Sequence, residues 1–270
     1  MTDIFYILEC RVKNCVADFY LNDIPVFRRS DELGAFAAGP YHELLLAGRN
    51  ELAIVVEPGD TPSTALSGGG ARNRVHRTSA MAEAKVVRYP AGVTVGDPSG
   101  ELIGAARWDH LDGAGPVVFP LVRSGVFEHS PAEEPWEWEK GERLRLEPEL
   151  AGIATKLVNQ LRIELTLGDA ETFLKVTKPR VADIARAYGN SSEDKERNYV
   201  EWIKLEAPKW FFEPIKPEAL DFRLCGRDRL VELARRDGEP MLRCLPGADG
   251  SQTSFPLYLG KLNGEWLVTL

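Results

Sequence analysis

A glycine-rich segment followed by basic residues is the first part of this 270-residue chain whose composition could do chemistry. It reads Ser67-Gly68-Gly69-Gly70-Ala71-Arg72-Asn73-Arg74-Val75-His76-Arg77. Successive glycines can present backbone N–H groups to an anion, and Arg72, Arg74 and Arg77 would add positive charge. The lysine and hydroxyl spacing of a nucleotide-binding loop is missing. Two interpretations therefore stay open: a surface loop, or a contact with an anion or an acidic partner.

Aromatic residues form two further candidate sites. Trp136 and Trp138 are two residues apart in an extended segment, so their rings would face the same side and could stack on a sugar or a peptide. The alternative is that they pack between two domains. The densest aromatic cluster comprises Trp202, Trp210, Phe211 and Phe212. It fits core or interdomain packing, or a contact with a second copy or a partner, where tryptophan is enriched.

The net charge of −8 lies entirely in the amino-terminal part of the chain. Residues 1–150 hold 15 Lys or Arg and 23 Asp or Glu, whereas residues 151–270 hold 18 of each. An acidic surface repels phosphate, which argues against a nucleic-acid partner or an anionic membrane. It favours a basic protein partner, although ordinary solubilising charge would give the same imbalance.

The four cysteines indicate a reducing compartment. No CxxC spacing occurs among Cys10, Cys15, Cys225 and Cys244, and histidine is scarce, so we expect no metal site and no cofactor. Cys10 and Cys15 fall in or beside predicted strands, where a thiol is usually a small buried hydrophobe. The chain starts without a secretory signal, although a removed leader stays open, and its apolar runs are too short to span a membrane. We therefore expect a cytoplasmic protein.

Residues 1–130 are predicted to form an all-β sandwich. Residues 4–13 alternate between apolar and polar side chains, which is typical of a half-buried strand. Asn22-Asp23 tolerates the positive φ of a tight hairpin, and Gly48 precedes the apolar run Ala53–Glu57. Further short apolar runs follow at regular spacing, separated by Gly and Pro.

Residues 131–147 are predicted to be a proline-punctuated linker, and residues 148–270 an α+β domain. Pro148 suits a first helical position, while Asp169 and Ser191 can cap two further helices. Asp237-Gly238 and Asn263-Gly264 are turn signals between strand-like runs. Helices followed by strands indicate helices packed on a curved antiparallel sheet. The predicted strands are 221–225, 229–235, 240–245, 255–261 and 265–270.

The amino-terminal region resembles the sugar-binding jelly-roll domain of family-two glycoside hydrolases. In that domain a strand ends in an Asn-containing turn, and a Gly-Lys/Arg-Asn entry leads into an apolar strand. Leu21-Asn22-Asp23 and Ala47-Gly48-Arg49-Asn50-Glu51-Leu52-Ala53-Ile54 match those places. The resemblance covers about 50 residues and implies a jelly-roll-like sandwich. The chain has no room for the catalytic barrel of those enzymes, so their hydrolytic activity is not expected here.

The carboxy-terminal region resembles the cystatin-like cone of nuclear-transport-factor-two-like proteins, through Tyr258-Leu259-Gly260-Lys261-Leu262-Asn263-Gly264-Glu265-Trp266-Leu267-Val268. That fold includes isomerases, dehydratases and binding modules, and some members use a His–Asp dyad. All four histidines lie before residue 130, so the dyad is missing. The groups left for acid–base chemistry in such a cone are Asp183, Tyr188, Asp221 and Tyr258.

Three functions follow from these observations. The leading hypothesis is a non-catalytic cytoplasmic binding protein with a protein partner, in its specific form an acidic immunity-type inhibitor of a basic toxin. The second is an isomerase- or dehydratase-like enzyme with a small substrate in the cone and Asp183 or Asp221 as the base. The third is a carbohydrate-binding module that uses Trp136 and Trp138. A homodimer stays compatible with each of them.

Overall fold

The chain divides into two compact units, Met1–Pro135 and Trp136–Leu270, called here the first and the second unit. The computed structural model describes residues 4–29, 35–58, 72–74, 78–111, 114–130, 134–215, 217–247 and 252–270. Both units contain antiparallel sheets, and the long helices all lie in the second.

The described part of the first unit consists of antiparallel β-strands and one short 3-10 turn at His42–Leu44. The strands are β1 (Ile4–Lys13), β2 (Ala17–Leu21), β3 (Ile24–Arg29), β4 (Ala35–Pro40), β5 (Gly48–Val56), β6 (Arg72–Arg74), β7 (Ala80–Pro90), β8 (Glu101–His110), β9 (Val117–Phe119) and β10 (Leu121–His129). Two four-stranded sheets have the orders β4-β1-β7-β8 and β10-β5-β2-β3, and β6 pairs with β9. These sheets fit the predicted β-sandwich.

The alternation seen in the sequence of β1 sorts its side chains between two faces of the sheet. Leu8, Cys10 and Val12 are buried on one face. The other face carries charged residues, yet Glu9 is also buried, because the Tyr89 hydroxyl donates a 2.7 Å hydrogen bond to its carboxylate. The burial of Cys10 confirms its prediction as a small hydrophobe, as does that of Cys15.

Small residues let β8 and β10 cross closely. A Cβ atom added to Gly125 of β10 would overlap the backbone carbonyl of Ala105 in β8. One added to Gly104 would lie 2.7 Å from the Cγ atom of Phe127. Both strands lie at the edges of their sheets, so these glycines set the distance at which the two sheets meet.

Two buried asparagines join the hairpin after β2 to the start of β5. Asn22 and Asp23 have φ of 53° and 67°, which confirms the predicted tight turn. The Asn22 Nδ2 atom donates to the Asn50 Oδ1 atom at 2.7 Å and to the Leu44 carbonyl at 2.7 Å. The Asn50 amide also accepts from the Leu46 N–H and donates to the Leu46 and Gly48 carbonyls. The two amides thus satisfy backbone groups of a loop that has no ladder partner.

The second unit places three helices on a four-stranded sheet. The helices are α1 (Pro148–Leu167), α2 (Ala170–Ala187) and α3 (Ser192–Glu206). The strands are β11 (Leu220–Cys225), β12 (Leu230–Arg235), β13 (Leu242–Arg243), β14 (Ser254–Phe255), β15 (Leu257–Leu262) and β16 (Glu265–Val268). The sheet order is β11-β12-β15-β16, and β13 pairs with β14 in a separate hairpin. Residues such as Leu161 and Leu165 of α1 pack with Val231 and Leu259 of the sheet in one hydrophobic core.

The predicted helix caps of the second unit are confirmed. The Asp169 side chain accepts a hydrogen bond from the Thr172 N–H, and that of Ser191 accepts one from the Asp194 N–H. Pro148 is the first residue of α1, and Pro179 lies inside α2, which continues past it. Asn263 and Gly264 form the predicted turn with positive φ.

Two parts of the second unit differ from the sequence predictions. Residues 240–245 were predicted to be a strand of the main sheet, and this prediction is wrong. Pro240 makes only an isolated bridge to Ala234, because proline has no N–H with which to extend the ladder. Residues 136–147, within the predicted linker 131–147, are hydrogen-bonded to the sheet region. The Glu142 N–H donates to the Lys261 carbonyl, and the Leu144 N–H donates to the Asp228 carbonyl.

We predict that Gly125→Ala destabilises the first unit by about 3 kcal/mol, because the added Cβ atom meets a backbone carbonyl that cannot rotate away. The measurement is the free energy of unfolding from hydrogen exchange of the β5 and β10 amides. Gly115→Ala is the matched control, since a Cβ atom there meets open space. Equal exchange in the two variants would contradict the close crossing.

We predict that Asn50→Ala costs about 3 kcal/mol of stability, because it leaves several buried backbone and amide groups without partners. Thermal unfolding followed by calorimetry measures the effect. The neighbouring, exposed Glu51 provides the control, and Glu51→Ala should stay within about 0.5 kcal/mol of the wild type. A similar small change for both variants would show that the amide network is dispensable.

Candidate functional site

The Asp183 carboxylate of α2 binds the backbone of the segment that carries Trp136 and Trp138. Only 1% of Asp183 is exposed. Its Oδ1 atom accepts a 2.8 Å hydrogen bond from the Glu137 N–H, and its Oδ2 atom accepts a 3.4 Å bond from the Trp138 N–H. These N–H groups begin the 3-10 turn Trp138–Lys140, so Asp183 caps that turn from a distant helix.

Burial raises the pKa of Asp183 to about 6. Desolvation is the largest cause, and the hydrogen bonds from Glu137 and Trp138 and the Arg186 guanidinium act in the opposite direction. The closest Arg186 nitrogen lies 3.5 Å from the carboxylate. At neutral pH the group is therefore mostly ionised, the form that accepts both backbone hydrogen bonds. This is a structural role, and it was not predicted from the sequence.

Trp136 and Trp138 are both buried, which does not fit a stacking platform. The Arg186 guanidinium lies 4.1 Å from the centre of the Trp136 ring. The Trp138 ring packs beside Gly226, where an added Cβ atom would lie 3.3 Å from it. A sugar or peptide needs an exposed ring face, and these two indoles are used in packing instead.

The other predicted cone residues lie on different elements of the second unit. Tyr188 follows the last residue of α2. Asp221 of β11 and Tyr258 of β15 lie on strands separated by β12, where their register partners are Ala234 and Glu232. The alternation of the strands places Asp221 and Tyr258 on the same sheet face, opposite the face that packs into the hydrophobic core. Asp183 uses both of its oxygens elsewhere, on Glu137 and Trp138.

The glycine-rich segment is only partly within the described residues. Arg72 and Arg74 lie on β6, which pairs with β9, but their side chains are outside the described part. Arg77 and residues 67–70 lie outside it altogether. The predicted anion contact of these arginines therefore stays a prediction.

Within the described ranges, no group of three or more His, Cys, Asp or Glu residues could hold a metal ion. No helix in the same ranges has the length and apolar composition needed to cross a membrane. All four cysteines are buried, and none of them forms a disulfide.

A short two-stranded ladder in the second unit carries exposed apolar side chains. Phe212 and Cys244 form a bridge, the Leu245 N–H donates to the Phe211 carbonyl at 2.6 Å, and the Glu213 N–H donates to the Arg243 carbonyl at 2.9 Å. Phe212 and Cys244 pack into the hydrophobic core. The side chains next to them in sequence therefore point to the opposite side of the ladder. We call this side the ladder surface: Phe211, Glu213, Arg243 and Leu245.

The apolar part of the ladder surface is strongly exposed. Phe211 is 69% exposed and Leu245 is 53% exposed. Trp202 and Leu205, three residues apart on α3, are exposed as well. The Trp202 ring centre lies 5.1 Å from that of the buried Trp210, which directly precedes Phe211. Of the predicted aromatic cluster, Trp210 and Phe212 pack in the core, whereas Phe211 and part of Trp202 face solvent.

The charged part of the ladder surface is organised by the Glu213 carboxylate. Its Oε2 atom lies 3.0 Å from the Arg243 Nε atom and 3.3 Å from the Arg235 Nη1 atom. Its Oε1 atom accepts a 3.1 Å hydrogen bond from Gln252, whose Nε2 atom also donates to the Cys244 carbonyl. Glu213, Arg235 and Arg243 were not among the predicted site residues. The Asp237-Gly238 turn pairs Arg235 with Glu239, so it gives no local signal that Arg235 and Arg243 contact one carboxylate.

Comparisons with known proteins add no family assignment. No protein-family model, no curated protein and no solved structure matches the chain. The jelly-roll and cystatin-like resemblances therefore stay predictions from the residues that suggested them.

We predict that Asp183→Asn gains stability relative to the wild type as the pH rises from about 4 to about 7. The folded pKa is raised, so the stability that neutral Asp183 contributes is complete below the unfolded pKa of 3.8 and is lost as the pH passes about 6. The asparagine stays neutral throughout. The difference in unfolding free energy between the two proteins should change by on the order of 3 kcal/mol.

Urea unfolding followed by tryptophan fluorescence measures this difference, because five of the six tryptophans lie in the second unit. Asp169→Asn, in the same unit, is a control of opposite sign. Hydrogen bonds from Thr172 lower the pKa of Asp169, so its contribution is present at neutral pH and is lost as the pH falls. A pH-independent difference between Asp183→Asn and the wild type would contradict the raised pKa.

Proposed function

We propose that this chain is a non-catalytic protein-binding protein whose second unit contacts its partner through the ladder surface. The observation that carries the proposal is the exposure of Phe211 and Leu245 next to each other on a hydrogen-bonded ladder. Large exposed apolar side chains with a polar rim are typical of protein interfaces, and aromatic residues dominate their binding energy. Glu213 and Arg243 provide the polar rim here.

The position of Asp183 supports a non-catalytic role over the enzyme hypothesis. A general base must reach the proton that it removes. Asp183 is buried, and both of its carboxylate oxygens accept hydrogen bonds from backbone N–H groups. Its raised pKa therefore has a structural cause and needs no catalytic explanation.

The charge of the chain supports a partner with net positive charge. Residues 1–150 carry the whole net charge of −8, and such a field accelerates association with a basic protein. An immunity-type inhibitor of a basic toxin is the specific form of this proposal. A cytoplasmic location is part of this proposal, and it is supported by four cysteines that form no disulfide. The proposal also includes a jelly-roll-like first unit and a cystatin-like second unit. The four-stranded antiparallel sheets of the two units support it.

We predict that Phe211→Ala weakens partner binding by about 30-fold, as expected for truncation of an aromatic hot-spot residue. The partner is obtained by affinity capture from native extract at low salt, and its affinity is then measured with purified proteins. The fold should be unaffected, because the side chain is 69% exposed. Capture should also weaken at high salt if the net charge steers association.

Phe36→Ala is the matched control, because Phe36 of β4 in the first unit is 52% exposed. A partner that binds the wild type, Phe36→Ala and Phe211→Ala equally would contradict the proposed surface. Sedimentation of the purified chain tests the alternative occupant, a second copy. A dimer that Phe211→Ala dissociates would assign the surface to self-association instead.

A further inference from the structure

Residues 210–213 present one backbone edge away from the rest of the ladder. Phe212 forms a bridge with Cys244, yet the hydrogen bonds of that ladder are made by its two neighbours, Phe211 and Glu213. In such a pair the N–H and C=O groups of Phe212 point away from Cys244. Neither group has a hydrogen-bond partner among the described residues. Backbone groups of a folded protein are normally paired, so this edge is available to water or to another chain.

This edge lies at the protein surface. Phe211 is 69% exposed and Pro214 is exposed, while Phe212 keeps part of its surface accessible although its ring packs against the core. Native proteins often protect an edge strand with charged side chains. The one charge in residues 210–213, that of Glu213, is already paired with two arginines. Residues 210–213 therefore carry no uncompensated charge that would repel an incoming strand.

The groups on this edge determine which hydrogen bonds it can make. Trp210 has an extended backbone, with φ of −91° and ψ of 114°, so its carbonyl points to the same side as that of Phe212. The Trp210 N–H is used, because it donates to the Ala207 carbonyl. Pro214 has no N–H and ends the edge. We call the Trp210 carbonyl and the N–H and carbonyl of Phe212 the open edge.

We propose that the partner contributes an extended segment, which pairs with the open edge as an added antiparallel strand. One residue of that segment exchanges two hydrogen bonds with Phe212, and the residue two positions later donates to the Trp210 carbonyl. The residue between them lies opposite Phe211 on the ladder surface, where an apolar side chain packs on the ring. This inference rests on the proposed function and names the form in which the partner binds.

A second copy of the chain does not match the open edge. Two copies paired through Phe212 would place Pro214 of each copy opposite Trp210 of the other. Proline cannot donate a hydrogen bond, so both Trp210 carbonyls would stay unpaired. The same pairing would place Glu213 opposite Phe211, where an apolar side chain fits better. A different chain, with the required N–H groups and an apolar residue beside Phe211, matches all of these groups.

A pair of peptides tests the inference without the partner. One is a blocked pentapeptide of alternating threonine and valine, with valines on both sides of the central threonine. The other carries N-methyl groups on its three threonines, which removes the N–H donors of one edge and keeps the side chains. Each is titrated into the full-length, ¹⁵N-labelled chain, and the backbone amides of Phe211, Phe212 and Leu245 are followed.

Hydrogen exchange of the chain alone shows whether the Phe212 N–H is already bonded. The Phe212 amide should exchange about 100-fold faster than the Glu213 amide, which donates to the Arg243 carbonyl. Equal protection of the two amides would overturn the inference, because an acceptor within the chain would already occupy the open edge.

We predict that the unmodified peptide binds with a dissociation constant on the order of millimolar and moves the Phe212 amide proton signal downfield. The N-methylated peptide should bind about tenfold more weakly, because it cannot donate to the carbonyls of the open edge. Phe211→Ala should weaken binding of the unmodified peptide about threefold, and Phe36→Ala should leave it unchanged. The amides of β11, an edge strand that carries Asp221 and Arg223, should not shift.

Equal affinities of the two peptides would overturn the inference and assign the contact to apolar packing alone. An absence of any shift at the Phe212 amide would overturn it as well, as would shifts of equal size in β11, which would show unselective pairing with any edge. The proposed function fails separately, when Phe211→Ala retains the captured partner. A preference for the unmodified peptide combined with that result would leave a strand-accepting edge without the protein interface.

Discussion

The Glu213 carboxylate joins three separate segments of the second unit, and the exposed ladder depends on it. Arg235 comes from β12, Arg243 from β13, and Gln252 from the residues just before β14. Their contacts fix the extended connection after α3 against the β13–β14 hairpin. With Phe212 held in the core on one side of this connection, Phe211 must point to the other. Removal of Glu213 would leave two guanidiniums with little compensation, a loss that is costly in a partly buried site.

A second carboxylate, that of Asp183, also joins distant segments of the second unit, but through backbone groups. One carboxylate on a helix accepts hydrogen bonds from the backbone of a segment with little regular structure, and the arginine one turn later lies over Trp136. At Asp183 a buried acid replaces helix hydrogen bonds that the neighbouring chain lacks, whereas the partly exposed Glu213 joins side chains. A buried carboxylate with a raised pKa is often part of an active site. Here its bonds explain it as part of the fold.

The sequence predicted those features that depend on residues close together in the chain. The helix caps Asp169 and Ser191 and the turns at Asn22-Asp23 and Asn263-Gly264 are local, since each needs only a few neighbouring residues. Alternation likewise predicted the faces of β1. Asn22 and Asn50 were noted as matching positions of a resemblance, but their direct hydrogen bond required the fold.

The candidate site was harder to predict because its contacts span long sequence distances. Trp136 and Trp138 had the spacing of a stacking platform, and nothing local showed that Asp183, 45 or more residues away, would bind their backbone. The contact between Glu213 and Arg235 likewise joins a connection without periodicity to a strand. Exposure of Phe211 follows only from the ladder that buries Phe212 beside it. Such outcomes depend on tertiary packing, which neither composition nor periodicity contains.

The most direct test of the ladder surface as a binding site is site-specific photocrosslinking in native extract. A photoreactive phenylalanine replaces Phe211 in one variant and Phe36 in another, and the crosslinked products are identified by mass spectrometry. Our account predicts one dominant protein crosslinked from position 211 and none of it from position 36. A partner that crosslinks from position 36 but not from position 211, or equally from both, would contradict the account.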